Sequence, residues 1–303
     1  MKGIRIIPLA ADSTGNRSMA TMVETRDVSI LVDPSCHVAD YRYGLPPHPL
    51  ELWALEKHRE RIRLFARSAD LIILLHHYYD VLLKDEKTLF KNKTLLIKNP
   101  NQNLSPVYRN HAFALLGDLQ RVCREVYYID QRQYSIGGTT LFFSGSAGKR
   151  SEEQENHALH LAVTCNEDTF LFSSEFQKHT YSELIAFMRD HPPDTLYLDG
   201  PATYLQAEDP EGYRLDRVMD DLKTMVDSIA VRTMILDHSL MRDVGWQMKI
   251  KPFFQFIKER PVVVQSAAAY RGDPVNPLEA RRQELHEADP RDRNGESAQF
   301  EIP

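Results

Sequence analysis

The run Leu71-Ile72-Ile73-Leu74-Leu75 contains no polar residue and leads directly into His76-His77-Tyr78-Tyr79-Asp80. Five aliphatic residues without alternation fit a strand covered on both faces, as in the interior of a layered α/β protein, and not a strand with one wet face. The imidazoles and the carboxylate then emerge together where the strand leaves the core. Metals and catalytic water are held at such strand ends.

A strand buried on both faces needs a large core, and a chain of 303 residues that is 42% hydrophobic can supply one. We expect a single domain over residues 1–287, followed by a disordered tail over 288–303. That last stretch is charged, contains Pro and Gly, and has almost no aliphatic residues to offset its ordering entropy. The net charge is −6 and no long basic stretch occurs, so the whole chain lacks an electrostatic footprint for nucleic acid. No apolar stretch approaches the roughly 20 residues needed to cross a bilayer. Met1 to Leu9 is too short and too weakly basic for a signal peptide. A cytoplasmic protein without membrane association is therefore expected. Cys36, Cys123 and Cys165 are odd in number and lack C-x-x-C spacing, so neither a disulfide scaffold nor a zinc finger is indicated.

The opening third alternates strand-like runs with turns: Ile4 to Leu9, Ala20 to Thr25, and Ser29 to Val32 ending in Asp33-Pro34. After the proline-rich Gly44-Leu45-Pro46-Pro47-His48-Pro49, apolar positions recur at helical spacing from Leu50 to Ser68. Further strands are expected at Thr94 to Ile97, Val126 to Ile129, His160 to Thr164 and Thr169 to Ser173, with a helix over Val107 to Cys123. Gln133 to Ile136 and Thr139 to Phe143 read as a hairpin across Gly137-Gly138. From Ser182 the pattern becomes helix, strand, helix, strand: Leu184 to Arg189, Thr195 to Leu198, Leu215 to Ile229 and Arg232 to Leu236. Two such halves suggest a sandwich.

Four of these strands end in groups able to bind a cation: His76 and Asp80, Glu175, Asp199, and Asp237-His238. A lone histidine after a strand is ordinarily a hydrogen-bonded loop residue, but repetition at four strand ends points to a shared site. Imidazole and carboxylate ligands suit zinc or another borderline divalent ion, which lowers the pKa of bound water to about 7.

In Arg42 to Leu50, Thr94 to Lys98, Leu198 to Leu205, Ile235 to Asp243 and Leu278 to Arg282, in that order, the chain resembles the metallo-β-lactamase-fold superfamily. Within it, the resemblance is to a group of mostly archaeal, uncharacterised proteins predicted to be metal-dependent hydrolases, and it runs from Ile4 to Glu287. It implies a four-layer αββα sandwich of two mixed sheets, with a one- or two-metal site along one edge.

The resemblance also implies a degenerate site. The superfamily motif H-x-H-x-D-H falls on His76, Tyr78, Asp80 and Val81, so two of its four ligands are replaced. The next histidine falls near Lys149 and the bridging aspartate on Glu175, whereas the last histidine stands as His238. The first metal would keep His76 alone, and the second would keep Asp80, Glu175 and His238. Two functions stay open. One is a divergent hydrolase holding at most one divalent metal, zinc by ligand type, that activates water, with His76 and Asp80 as catalytic residues. The other is a non-catalytic homologue, with no metal, whose cleft takes a small anionic ligand or a protein partner. Lys149 is either a built-in substitute cation or a solvated loop lysine, and Tyr78 either an oxyanion donor or an aromatic plug. His48 is either a residue facing the pocket or part of a rigid lid. Asp199 and Tyr204 flank a loop where a ligand could lie, and Arg242 and Asp243 are candidates to brace His238.

Overall fold

A computed structural model describes residues 3–77, 83–102, 104–145, 158–174, 181–209 and 211–288. Its strands form two mixed sheets. The first has the order β1 (Ile4–Pro8), β2 (Thr21–Thr25), β3 (Ser29–Val32), β4 (Leu71–Leu74), β5 (Thr94–Ile97) and β6 (Glu125–Tyr128). Strands β1 to β3 are an antiparallel meander, and β3 to β6 pair in parallel. The second sheet runs β13 (Val263–Gln265), β12 (Thr233–Asp237), β11 (Thr195–Asp199), β10 (Asp168–Ser173), β9 (His160–Cys165), β8 (Thr139–Phe143) and β7 (Gln133–Ile136). There β10 to β13 are parallel and β7 to β10 antiparallel.

Alternation along each central strand sorts side chains between an inner core and two outer ones. In β4, Leu71 and Ile73 join Phe170, Phe172, Tyr197 and Ile235 between the sheets. Ile72 and Leu74 pack outward with Leu55, Ile62, Leu115 and Leu119 from helices α1 (Pro49–Ser68) and α2 (Pro106–Leu119). In β11 and β12, Leu196, Leu198, Met234 and Leu236 face outward onto α3 (Ser182–Asp190), α4 (Leu215–Ser228) and α5 (Lys251–Ile257). Three cores between four layers are the αββα sandwich, and they explain why the Leu71 run does not alternate: both of its faces are dry.

Observed elements follow the sequence pattern with small shifts. Helix α2 ends at Leu119, with hydrogen-bonded turns continuing to Cys123, and β6 starts and ends one residue earlier than expected. The hairpin turns at Gly137, whose φ of 57° suits glycine, and the backbone N–H of Gly138 donates to Asp27. Strand β13 was not expected, because three half-exposed residues paired only to β12 carry little signal. Ala288 ends the last described helix, α6 (Arg282–Ala288), and residues 289–303 of the expected tail lie outside the described residues. The three cysteines are free thiols. Among the described residues, no helix is long and apolar enough to cross a membrane.

Candidate functional site

Hydrogen bonds link the ends of β3, β4, β10, β11 and β12 along one edge of the sandwich. Asp33 follows β3 with φ of 42°, a left-handed conformation that aspartate tolerates. Its Oδ1 accepts from the Leu75 N–H at 2.9 Å, and its Oδ2 accepts from the Ser174 hydroxyl at 3.1 Å. The same Oδ2 lies 3.5 Å from Nε2 of the buried His76. One carboxylate thus joins the end of β4 in the first sheet to the end of β10 in the second. The neighbouring His77 turns the other way, with its Nε2 at 2.9 Å from the Lys98 carbonyl, as adjacent side chains leaving a strand must.

A second group gathers around His238, at the end of β12. Nδ1 of His238 is 2.6 Å from Oδ2 of Asp12, a residue of the turn between β1 and β2. Nη2 of Arg242 lies 2.9 Å from Nε2 of His238 and 3.1 Å from Nδ1, while Arg242 Nε donates to Asp12 Oδ1 at 2.8 Å. Nη2 is almost equally far from the two ring nitrogens, so the guanidinium lies over the imidazole and not on the in-plane lone pair of either one, while Nδ1 faces the Asp12 carboxylate. Burial alone pushes the Asp12 carboxyl up, but its interactions with His238 and Arg242 outweigh this and hold it well below the usual carboxylate range. Arg17 and Glu279 pair through two bonds of 2.6 Å. His37 is pushed down to about 3, first by burial and then by the guanidinia of Arg17 and Arg242.

Two buried aspartates fix the backbone under this group. Asp237 accepts from the N–H groups of Ser13 (3.0 Å), His238 (2.8 Å) and Ala267 (2.8 Å), which locks the turn carrying Asp12 to the 3-10 segment His238–Arg242. Asp199 accepts from the Ser239 N–H at 2.9 Å. Burial pushes its carboxyl up to about 6, against the opposing pull of His238, Arg242 and Ser239. The two groups share an edge, because Ser18 donates its N–H to Asp12 and its hydroxyl to the carbonyl of Ser35, two residues after Asp33.

Of the sequence candidates, Tyr78, Asp80, Lys149 and Glu175 lie outside the described residues. His48 caps helix α1: its Nδ1 accepts from the Leu50 N–H, its own N–H donates to Glu51, and its ring meets His286 edge-on at 5.1 Å. Tyr204 stacks under the guanidinium of Arg42 at 4.8 Å. Arg242 touches His238 directly. Asp243 instead accepts from the Thr203 hydroxyl, the Gly245 N–H and the Lys249 ammonium, so it ties the loop after β11 to the segment after β12. Asp12, Arg17, Glu279 and Ser174 are not among the sequence candidates, and Asp33 enters there only as the end of a strand. The one local signal for Asp12 was the polar run Asp12-Ser13-Thr14-Gly15 after the first strand.

The described residues permit a test of the metal that the fold leads one to expect. Among them, no three His, Cys, Asp or Glu side chains gather with the spacing to hold an ion. At the β4 end, His76 is a suitable donor, but an open catalytic site needs three protein ligands, so the other two would have to come from Asp80 and Glu175, outside the described residues. At the β12 end the donors do not fit, since Asp12 already takes Nδ1 of His238 and the Arg242 guanidinium, a fixed positive charge, lies against the same ring.

The four layers, with a polar edge at the strand ends, define a metallo-β-lactamase-fold protein. Solved structures support the fold at low sequence identity. A possible metal-dependent hydrolase from Veillonella parvula matches with a TM-score of 0.52 and 11% identity, covering 86% of this chain and 95% of that one. Zinc-bound PqqB from Methylobacterium extorquens gives 0.51 and 10%, covering 86% and 97%. CmlA, a diiron β-hydroxylase from Streptomyces venezuelae, gives 0.50 and 11%, and there this chain spans 52% of the other. No protein-family model matches the chain. Curated sequences place it more narrowly. It is 32% identical to a UPF0282 protein of Korarchaeum cryptofilum over 95% of this chain and 96% of that one. It is 33% identical to another from Pyrobaculum neutrophilum, over 93% and 94%. The chain belongs to the UPF0282 family.

Proposed function

We propose that this protein is a divergent hydrolase of the metallo-β-lactamase fold, cytoplasmic, acting on a small anionic molecule and holding at most one divalent metal at the β4 end of its cleft. The observation that carries this reading is the Asp33 carboxylate, which spans His76 and Ser174. Asp80 follows His76 by four residues in the sequence and Glu175 follows Ser174 by one. His76, Asp80 and Glu175 would hold the ion, with zinc favoured by their donor chemistry. When bound, the ion would supply hydroxide at neutral pH by lowering the pKa of its water to about 7. Asp33 orients the His76 ring.

The test is elemental analysis of protein purified without chelator, together with hydrolysis of a panel of anionic chromogenic esters. Near-stoichiometric metal and metal-dependent turnover, both lost in His76→Ala and Asp80→Ala, are expected. Folded protein that neither takes up metal nor turns over any ester would sink the hydrolase.

A second reading has its own support. The guanidinium against His238 favours a non-catalytic homologue whose cleft binds a small anion without metal. Saturable binding of an anionic ligand by metal-free protein, unchanged in Asp80→Ala, would select it.

A further inference from the structure

At the end of the first sheet opposite His76, where β4 and β5 begin, a cleft of about 440 Å³ opens between the last turns of α1, the 3-10 segment Lys84–Phe90 and the turn before β5. Arg63, Arg67, Lys91 and Lys93 line it, with Thr88 beside them. Among the described residues no carboxylate does, although the chain as a whole carries a net charge of −6. Two of the four cations are held in place. Nζ of Lys93 donates to the carbonyls of Arg67 and Ala69 at 3.0 and 2.5 Å, which cancels the partial negative charge that the C-terminus of α1 would otherwise turn toward an anion. Arg63 forks onto Glu86 at 3.0 and 2.5 Å. Asn92, between the two lysines, has φ of 61° and donates its N–H to the Val122 carbonyl at 2.9 Å, so the turn that carries them is fixed. Arg67 and Lys91 are exposed, and neither side chain has a hydrogen bond or ion pair among the described residues.

We propose that this cleft binds a compact oligophosphate, the di- or triphosphate group of a small molecule, at a site separate from the candidate metal edge. Like charges gathered around one cleft repel each other, and a bound polyanion relieves that repulsion. Guanidinium and ammonium donors both suit phosphate oxygens, and here the free Arg67 and Lys91 can close on a ligand between two cations that are already positioned. The volume falls within the roughly 300–1,000 Å³ of small-molecule sites. Among the described residues no aromatic side chain lines the cleft, so it lacks the platform on which bases of single-stranded nucleic acid stack. The phosphate chain is therefore the part recognised. This site does not rest on the hydrolase reading.

The test is calorimetric titration of the full chain, in metal-free buffer, with sodium tripolyphosphate, ATP, AMP, citrate and a uridine oligonucleotide. Tripolyphosphate and ATP should each bind saturably at one per chain, and AMP and citrate clearly more weakly. Arg67→Glu with Lys91→Glu should weaken tripolyphosphate about ten-fold or more. Lys251→Glu with Lys258→Glu makes the same change of charge at exposed positions on the far outer layer and should stay within about two-fold of wild type. Circular dichroism checks folding, and if the Glu pair does not fold, Arg67→Gln with Lys91→Gln decides in its place. The proposal is overturned if wild type shows no saturable binding of tripolyphosphate or ATP, if the Lys251 and Lys258 pair weakens binding as much as the cleft pair, if AMP or citrate binds as tightly as tripolyphosphate, or if the oligonucleotide binds more tightly. His76→Ala should bind tripolyphosphate as wild type does, and loss of binding there would also overturn it, whereas a failure to take up metal or to cleave esters bears on the hydrolase reading alone.

Discussion

The guanidinium of Arg282 is fully buried and forks onto the carboxylate of Glu51, with Nε and Nη2 each 2.8 Å from an oxygen. Its remaining donors reach the carbonyls of Leu45 and Ala39, so one side chain of α6 fastens the proline-rich segment to the start of α1. Glu51 also accepts from the His48 N–H and completes the cap of that helix.

Breaking one side of this pair should be far worse than removing both. Glu51→Ala leaves a buried guanidinium unmatched and is expected to cost roughly 3–5 kcal/mol, whereas Glu51→Leu with Arg282→Met should cost clearly less. Denaturant unfolding of the two single variants and the double variant checks this. A Glu51→Ala loss within about 0.5 kcal/mol of zero would show that the pair contributes nothing.

Asp33 should behave as a tie between the sheets. Asp33→Ala removes the acceptor from the Leu75 N–H and from the Ser174 hydroxyl, with an expected loss of roughly 1–3 kcal/mol for the buried donors left unmatched. Asp33→Asn keeps one carbonyl oxygen and should recover part of that loss. The same unfolding measurement decides it, and equal stabilities of the two variants would contradict the assigned role.

Much of the sandwich could be read from local pattern, because burial on both faces writes itself into a run such as Leu71 to Leu75, and a Gly-Gly pair between alternating residues marks a hairpin. His76 and His77, which the sequence places together at the strand end, in fact point to opposite sides of it, as alternation along a strand requires. The β12 half of the site could not be read this way. Asp12 and His238 are 226 positions apart, and nothing near either residue says that the first turn of the chain packs beneath the end of β12. Arg242 was noticed as a possible brace for His238, but only the packed edge brings its Nη2 to the imidazole nitrogen. His48 illustrates the converse, since a histidine before Pro49 left a pocket residue and a rigid lid open and is in fact the cap of the helix that Pro49 begins.

Tyr197 lies on β11 with its ring fully buried between the sheets, 5.4 Å from Phe172 edge-on. Its hydroxyl has no hydrogen-bond partner among the described residues, and burial pushes its pKa well above the usual value. A polar atom buried without a partner opposes folding by about 1–3 kcal/mol. Tyr197→Phe keeps the ring contacts and should therefore match or exceed wild type in stability. Thermal unfolding tests this, and a drop of several degrees would reveal a partner for the hydroxyl.

Asp199 provides the pH dependence. Burial raises its carboxyl to about 6 in the folded protein from an ordinary value of 3.8, so the folded state holds the proton more tightly than the unfolded chain does. The stability linked to that proton is fully present below about 3.8 and is lost as pH rises through about 6, with an upper bound of roughly 3 kcal/mol. Asn at this position does not titrate. Its carbonyl can still accept from the Ser239 N–H, and its amide can donate to the Ser239 hydroxyl, which now faces Oδ2 at 3.3 Å. The melting temperature of Asp199→Asn relative to wild type should therefore climb as pH is raised from about 4 to about 7 and level off above that. Asp12, whose carboxyl is lowered, acts in the opposite sense but is present in both proteins and largely cancels from the difference. A difference that stays flat over this interval, or falls, would mean that Asp199 ionises in the folded protein as easily as it does in water.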